Sequence, residues 1–383
     1  MALNTLTTSA RRFSKRVLWS YFGDWIVMAV ILGLAIGFHN IDGAGSRHAF
    51  ALQDPSISYP HTEDLISNPV LYVTSVVIPG VLIASICLVF VPGITATRSM
   101  AAGPLWQRKL WEVHAAWLGL ALACLSAIAI TNGLKPLAGR PRPHLLAVCD
   151  PDLSTEAIDR WRVGGLGTDL NSAVPIVVSW HICRNTDASE MRNAFASFPS
   201  GHASTSWSGL LYLSLFLCAK FGIKIPVLRV PAISSQSRVP TPRNQGAAPP
   251  AYLILLAFVP IGVAFFISVS RWFDYRHHGF DIISGAILGV FTAWISFHLY
   301  QEPISTGDGW AWASRSRRHA FGLPVGSTSD AEDNVWDESS PSRSKDGPST
   351  DVESNPRQSP ERFEMNRGRQ GWPQGNQSAP AEV

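Results

Sequence analysis

Apolar residues in this chain gather into six runs of 17 to 23 residues, each bounded by charged residues, proline or glycine. The runs extend over about Val17 to Phe38, Pro69 to Val91, Val113 to Leu134, Ala203 to Ala219, Ala251 to Ser270 and Ile282 to Tyr300. A helix rising 1.5 Å per residue needs about 20 residues to cross roughly 30 Å of hydrocarbon. The pattern therefore predicts an all-α polytopic membrane protein with six transmembrane helices. Run three contains no Asp, Glu, Lys or Arg. Run one is the weakest, because Asp24 lies near its start; beside Trp25 it is expected at the membrane interface. Run four is the shortest, but Lys220 is expected to snorkel and Phe221 to extend it.

Charge then gives the spans a direction. Positive residues concentrate on the cytoplasmic side of short loops. The N-terminal arm, residues 1–16, carries Arg11, Arg12, Lys15 and Arg16. The 93–109 loop carries Arg98, Arg108 and Lys109, and the 220–250 loop carries Lys220, Lys224, Arg229, Arg238 and Arg243 with no acid. Arg315, Arg317 and Arg318 follow the last run. Six spans put all four segments on one side, so both termini are expected in the cytoplasm. The opposite loop, 39–68, is net acidic, with Asp42, Asp54, Glu63 and Asp64 against Arg47.

Composition agrees with the spans: 46% of the 383 residues are hydrophobic and 15% charged, against about 25% charged in a soluble protein. A net charge of +3 is too small to argue for a nucleic-acid partner. No removable signal peptide is read at the start, and run one is expected to stay as an anchor. Residues 226–250, rich in Pro, Ser and Arg, read as a flexible cytoplasmic loop. Residues 303–383 read as a disordered cytoplasmic tail with Ser-Pro steps at Ser340 and Ser359. The sequon at Asn376 falls in that tail, so no glycan is expected on it. Cys87, Cys124 and Cys218 lie inside apolar runs. Cys149 and Cys183 share one polar loop, where they either pair in an oxidising compartment or stay as two thiols. No Cys/His cluster has zinc-ligand spacing.

Three polar clusters at the ends of apolar runs carry the candidate chemistry. The first is Lys135-Pro-Leu-Ala-Gly-Arg-Pro-Arg142-Pro. Its prolines disfavour a continued helix, so the segment is expected to wrap and aim a lysine and an arginine at one tetrahedral anion. The second is Pro199-Ser200-Gly201-His202, opening run four. Ser200 can cap that helix, Gly201 lets backbone approach a ligand, and free amides at a helix start attract anions. His202 there is placed to donate a proton to a departing oxygen. The third is Ser270-Arg271, then His277, then Asp281. If His277 and Asp281 open the last helix, their i, i+4 spacing puts them on one face. An aspartate on one imidazole nitrogen fixes the tautomer and frees the other nitrogen to attack. Arg271 adds a further fork for phosphate. Alone, each cluster also has a bland reading: juxtamembrane cations, a helix cap, a structural His–Asp pair. In the six-span arrangement, however, all three fall on the non-cytoplasmic face.

Taken together, the clusters resemble the signature of the type 2 phosphatidic acid phosphatase superfamily: Lys-x6-Arg-Pro, Pro-Ser-Gly-His and Ser-Arg-x5-His-x3-Asp. Within it the chain is most similar to integral-membrane lipid phosphate phosphatases of the fungal diacylglycerol pyrophosphate/phosphatidate phosphatase kind. The resemblance covers about residues 17–300, which would form the six-helix phosphatase domain. It implies a phosphatase that needs no metal or other cofactor and acts on a lipid phosphate held in the bilayer. His277 would be the nucleophile, Asp281 its support and His202 the acid for the leaving group. Lys135, Arg142, Ser200, Gly201 and Arg271 would bind the phosphate. Two other outcomes remain open: a lipid headgroup phosphotransferase, with an alcohol in place of water, and a non-catalytic lipid-binding member.

Overall fold

The computed structural model describes residues 15–41, 47–93, 100–171, 174–223, 249–304, 309–315 and 321. Most of the N-terminal arm, the 226–250 loop apart from its last residues, and the tail beyond 321 with Ser340, Ser359 and Asn376 lie outside the described residues. The long helices are α1 (Lys15–Asn40), α2 (Asn68–Phe90, with one π turn at Val73–Val77) and α3 (Ala102–Ala138). Between α3 and the next long helix come α4 (Leu145–Cys149), α5 (Thr155–Trp161) and α6 (Ala188–Ala194). The bundle is completed by α7 (Gly201–Lys220), α8 (Ala251–Phe273) and α9 (Gly279–Tyr300).

Five of the long helices, all but α7, are long and apolar enough to cross a membrane. Their outward faces carry large exposed apolar side chains, among them Leu18, Phe22, Val81, Leu255, Phe265, Ile287 and Phe291. Such a belt suits lipid, not water. Helix α7 differs because it stands in the middle, packed against α2, α3, α8 and α9. Ser204, Ser206, Ser208 and Ser214 lie buried along it, and several donate to backbone carbonyls one turn back or, for Ser214, to Ala257 O at 2.6 Å. A helix sheltered from lipid by its neighbours need not be apolar all round, so serines lower its hydropathy without exposing it. Its close approach to α9 depends on two glycines. A Cβ on Gly285 would stand 2.5 Å from Ser200 O, and one on Gly289 would stand 2.5 Å from Ser204 O. Small residues one turn apart allow this backbone contact.

Helix α3 is longer than expected. It spans 37 residues, so Arg108 and Lys109 belong to the helix and not to a preceding loop. Pro136 does not end it. Proline in the last turn costs one hydrogen bond, and Gly139, at φ 51°, closes the helix three residues later.

One end of the bundle is tied by buried charge. Lys220 does not snorkel: its Nζ sits 2.7 Å from Glu112 Oε2 and 3.0 Å from Gly309 O. Glu112 also accepts from Arg108 at 3.2 Å and from the Ala311 amide at 3.1 Å. Residues 309–315 return to the bundle: Ala311 bridges to Gln301, and Arg315 holds Asp24 of α1 at 2.8 and 3.1 Å. Asp24 is thus ion-paired, not simply interfacial, and residues 309–315, expected to belong to a disordered tail, pack on the bundle. Glu112→Ala would strand the buried Lys220 ammonium. It is expected to destabilise the fold by about 3–5 kcal/mol, seen as a lowered unfolding temperature of the detergent-solubilised protein.

At the opposite end, residues between α3 and α7, joined by part of the loop between α1 and α2, build a cap. Strands β1 (Phe50–Ala51), β2 (Arg162–Gly165) and β3 (Ile176–Val178) pair antiparallel in the order β1-β3-β2. Beneath them Phe50, Leu145, Ile158, Ile176, Val178, Ile182 and Phe195 form a second apolar core, separate from the one inside the bundle. Cys149 and Cys183 are joined as a disulfide across this core, with Cα atoms 4.7 Å apart.

Candidate active site

The ends of α3 and α8 and the starts of α7 and α9 meet under this cap. Ser200 is the N-cap of α7; its hydroxyl accepts from the Ala203 amide, and its own amide donates to Asp281 O at 3.0 Å. Lys135 reaches the same spot from α3: a Cβ on Gly201 would stand 3.4 Å from its Nζ. One turn inward, Thr131 and Ser204 share a hydrogen bond of 2.9 Å that fixes α3 against α7. Among the described residues no carboxylate pairs with Lys135, so its charge is directed at the site rather than spent on a neighbour.

His277 lies in the turn between α8 and α9. It precedes the helix rather than opening it, since His278 is the N-cap of α9 and Asp281 the third helical residue. The His277–Asp281 hydrogen bond expected from their spacing is therefore not formed. Instead, His277 Nδ1 lies 2.6 Å from the carbonyl oxygen of Ser197. A carbonyl only accepts, so Nδ1 must carry the proton, and the neutral ring leaves Nε2 with its lone pair. Burial holds the His277 pKa well below the usual histidine value, and Arg142 and Lys135 push it further the same way, with His202 adding to them. The ring is thus neutral at pH 7, the form that attacks.

Asp281 acts one step removed. Its fully buried carboxylate accepts from Ser197 Oγ at 2.6 Å, from Arg140 at 2.7 Å and from the His278 amide at 3.1 Å. It thereby fixes Ser197, whose carbonyl orients His277. Neither Ser197 nor Arg140 stands out in the sequence, although Arg140 lies two residues before Arg142 in the same proline-rich run.

Arg142 is buried, with one weak bond to Ala196 O at 3.4 Å, and its Nε has no partner among the described residues. Burial, with Arg276 and Arg271 close by, lowers its pKa to about 10, so it stays charged. An unpartnered guanidinium donor in a buried site is the mark of an anion site. His202 is in the first turn of α7, and its Nε2 meets Ile66 O at 3.0 Å.

Arg271 differs from its expected role as a free phosphate fork. Its two terminal nitrogens bond Asp64 at 3.0 Å and Asp274 at 2.6 Å, and its Nε bonds Ser270. A fully buried guanidinium needs such partners. Of the two carboxylates only Asp64 is partly exposed, and Arg276 shares it at 2.9 Å. The segment carrying Asp64 drapes over the site: Thr62 donates to Asp274 O, the Leu65 amide donates to Asp274 Oδ2, and Tyr59 stacks on Tyr275 at 4.7 Å. Its role could not be read from the sequence, because a polar loop carries no periodicity. His144, beside Arg142 and Arg276, donates from Nδ1 to Tyr275 O at 2.7 Å, and burial brings its pKa down to about 4.

The six motif side chains thus converge at one end of a helical membrane bundle. Two cations, a helix N-terminus and a neutral histidine face a common space, which is the class of site that transfers phosphoryl groups. Residues 116–305 match the model of the PAP2 superfamily, a range that contains every residue named above from Lys135 to Asp281, and that part of the chain belongs to the superfamily. It is 28% identical over 256 residues to diacylglycerol pyrophosphate phosphatase 1 of Saccharomyces cerevisiae, covering 67% of this chain and 71% of the relative. Lipid phosphate phosphatase 1 of Arabidopsis thaliana is 26% identical over 318 residues, 83% of this chain and 80% of the relative. The probable diacylglycerol pyrophosphate phosphatase 1 of Schizosaccharomyces pombe is 26% identical over 291 residues, 76% and 84%. No solved structure matches the chain.

Proposed function

We propose that the protein is an integral-membrane lipid phosphatase that releases phosphate from lipid phosphate monoesters or pyrophosphates through a phosphohistidine at His277. The observation that carries this is the Ser197 carbonyl on His277 Nδ1, which leaves Nε2 as a nucleophile beside Lys135 and Arg142.

In the first step Nε2 forms a bond to phosphorus; an ester oxygen leaves with its electron pair and a proton from Nδ1 of a doubly protonated His202, whose Nε2–H stays on Ile66 O, whereas an anhydride oxygen leaves with its electron pair alone. In the second, water attacks the phosphorus, the nitrogen recovers its electrons, and His202 takes a proton from the water. Lys135, Arg142, the α7 amides at Gly201 and His202, and Arg271 once Asp64 moves aside would stabilise the charge on the transferring phosphoryl. Asp281 serves by holding Ser197. A pocket of fixed cations supplies the positive charge that a bound metal would otherwise bring.

Both termini would be cytoplasmic, with α7 as the sixth crossing and the site on the lumenal or extracellular face. The disulfide under the cap supports this, since such bonds persist in oxidising compartments. The test is phosphate release by purified protein from phosphatidate and diacylglycerol pyrophosphate in detergent micelles with excess EDTA. Full activity is expected; loss on chelation that added metal restores would overturn the mechanism.

A further inference from the structure

Arg271 holds more negative charge than its burial requires. Asp274, itself buried, accepts from Nη2 at 2.6 Å, and Ser270 Oγ accepts from Nε. One carboxylate therefore already balances the guanidinium. Asp64 is a second one, 3.0 Å from Nη1, and its side chain is 39% exposed where that of Asp274 is 4% exposed. The same Asp64 oxygen, Oδ1, lies 2.9 Å from Arg276 Nε, which is not aligned to donate to it and has no hydrogen-bond partner among the described residues.

The Asp64 side chain is not what fastens its segment. Arg276 Nη2 donates to Thr62 O at 2.8 Å and Nη1 meets His61 Nε2 at 3.0 Å. Asp274 Oδ2 accepts from the Leu65 amide at 3.0 Å, Thr62 Oγ1 donates to Asp274 O at 2.9 Å, and Tyr59 stacks on Tyr275. With these ties kept, Asp64 can turn outward by changing rotamer while its backbone stays in place. Its position belongs to the phosphate site, since its charge acts on both Arg142 and His202. A carboxylate oxygen set between two guanidinium groups stands where an oxygen of a phosphoryl group would bind.

We propose that Asp64 is a built-in competitor for phosphate, an acid that sits on Arg271 and Arg276 until the phosphoryl group of the substrate displaces it. Every anion that uses these arginines must first expel Asp64. Its apparent dissociation constant is raised by the factor by which the inward carboxylate outweighs the outward one. Asp274 and the loop contacts stay as they are, so Arg271 remains paired and in position when Asp64 leaves. This inference rests on the phosphatase reading and adds to it a control on entry to the phosphate site.

The test uses inorganic phosphate as the probe, with wild type, Asp64→Asn, Asp64→Ala and Glu63→Gln purified in detergent at one pH and ionic strength. Glu63 is the neighbouring acid and is not among the partners of Arg271 or Arg276. Two readings are taken: the competitive Ki of inorganic phosphate against phosphatidate hydrolysis, and the phosphate concentration that half-saturates the rise in unfolding temperature. Loss of one charge-assisted contact to Arg271 is expected to lower both about tenfold in Asp64→Asn and in Asp64→Ala. Glu63→Gln is expected to match wild type. A structural role for Asp64 gives the opposite sign, because a loosened Arg271 binds phosphate more weakly. Values unchanged or raised in the two Asp64 variants overturn the proposal, as does an equal fall in Glu63→Gln, which would show a diffuse field and not a competitor. A wild type inactive on phosphatidate removes the phosphatase reading, and the unfolding series then decides alone whether Asp64 competes with phosphate.

Discussion

Replacing His277 with alanine is expected to lower phosphate release by on the order of 10⁴-fold or more on every lipid substrate, with little change in folding. The argument is one of chemistry. Without Nε2 no covalent intermediate forms, and water must attack directly in a site shaped for a ring nitrogen. The cations and α7 amides would still bind the phosphate and stabilise its charge, so substrate affinity should survive while kcat collapses. Stability should hold because the imidazole makes one hydrogen bond, to Ser197 O, and its neutral form carries no buried charge that removal would unbalance. A variant that keeps more than a few per cent of wild-type kcat would remove the nucleophile role. Thermal unfolding of the same preparation checks that loss of activity is not loss of fold.

His202→Ala is expected to separate the two substrate types. Phosphatidate must expel a diacylglycerol oxygen, whose conjugate alcohol is about as weak an acid as water, with a pKa near 16. Diacylglycerol pyrophosphate expels a phosphate ester oxygen, whose conjugate acid has a pKa of about 6. The first needs a proton in the transition state; the second leaves without one. General acids contribute roughly 10²–10⁴-fold. kcat/KM on phosphatidate should therefore fall about 10³-fold, and on the pyrophosphate about tenfold or less. kcat/KM is the right quantity because it reports steps up to departure of the leaving group, before His202 is needed again to activate water. Equal losses on both lipids would show that His202 positions the site and does not protonate the leaving oxygen.

Much of this was legible in the sequence because membranes impose a strong pattern. A helix facing lipid must be apolar for about 20 residues, so α1, α2, α3, α8 and α9 are marked by hydropathy. The central α7 is marked less well, since neighbours cover its serines. The motif residues were legible as chemistry because Lys135, Arg142, His202 and His277 sit at helix ends, where side chains can converge. What escaped was the wiring. The carbonyl that orients His277 belongs to Ser197, and backbone groups leave no trace in sequence. Arg140 on Asp281 and Asp64 on Arg271 join segments separated by 141 and 207 residues, pairings that only the fold brings about. Local spacing suggested that His277 and Asp281 pair directly; the N-cap at His278 turns them apart. The same limit applied to Lys220, whose partner Glu112 stands 108 positions away.

The central claim is that the transferred phosphoryl passes through the His277 ring. It is tested most directly by quenching the enzyme in alkali within milliseconds of mixing with diacylglycerol pyrophosphate labelled in its terminal phosphate. Proteolysis and mass spectrometry then locate the label. The account requires an acid-labile, alkali-stable phosphoryl group on the peptide containing His277, absent from His277→Ala and chased to inorganic phosphate by unlabelled substrate. Rapid turnover in the wild type with no labelled peptide at any quench time, or with the label on another residue, would contradict it.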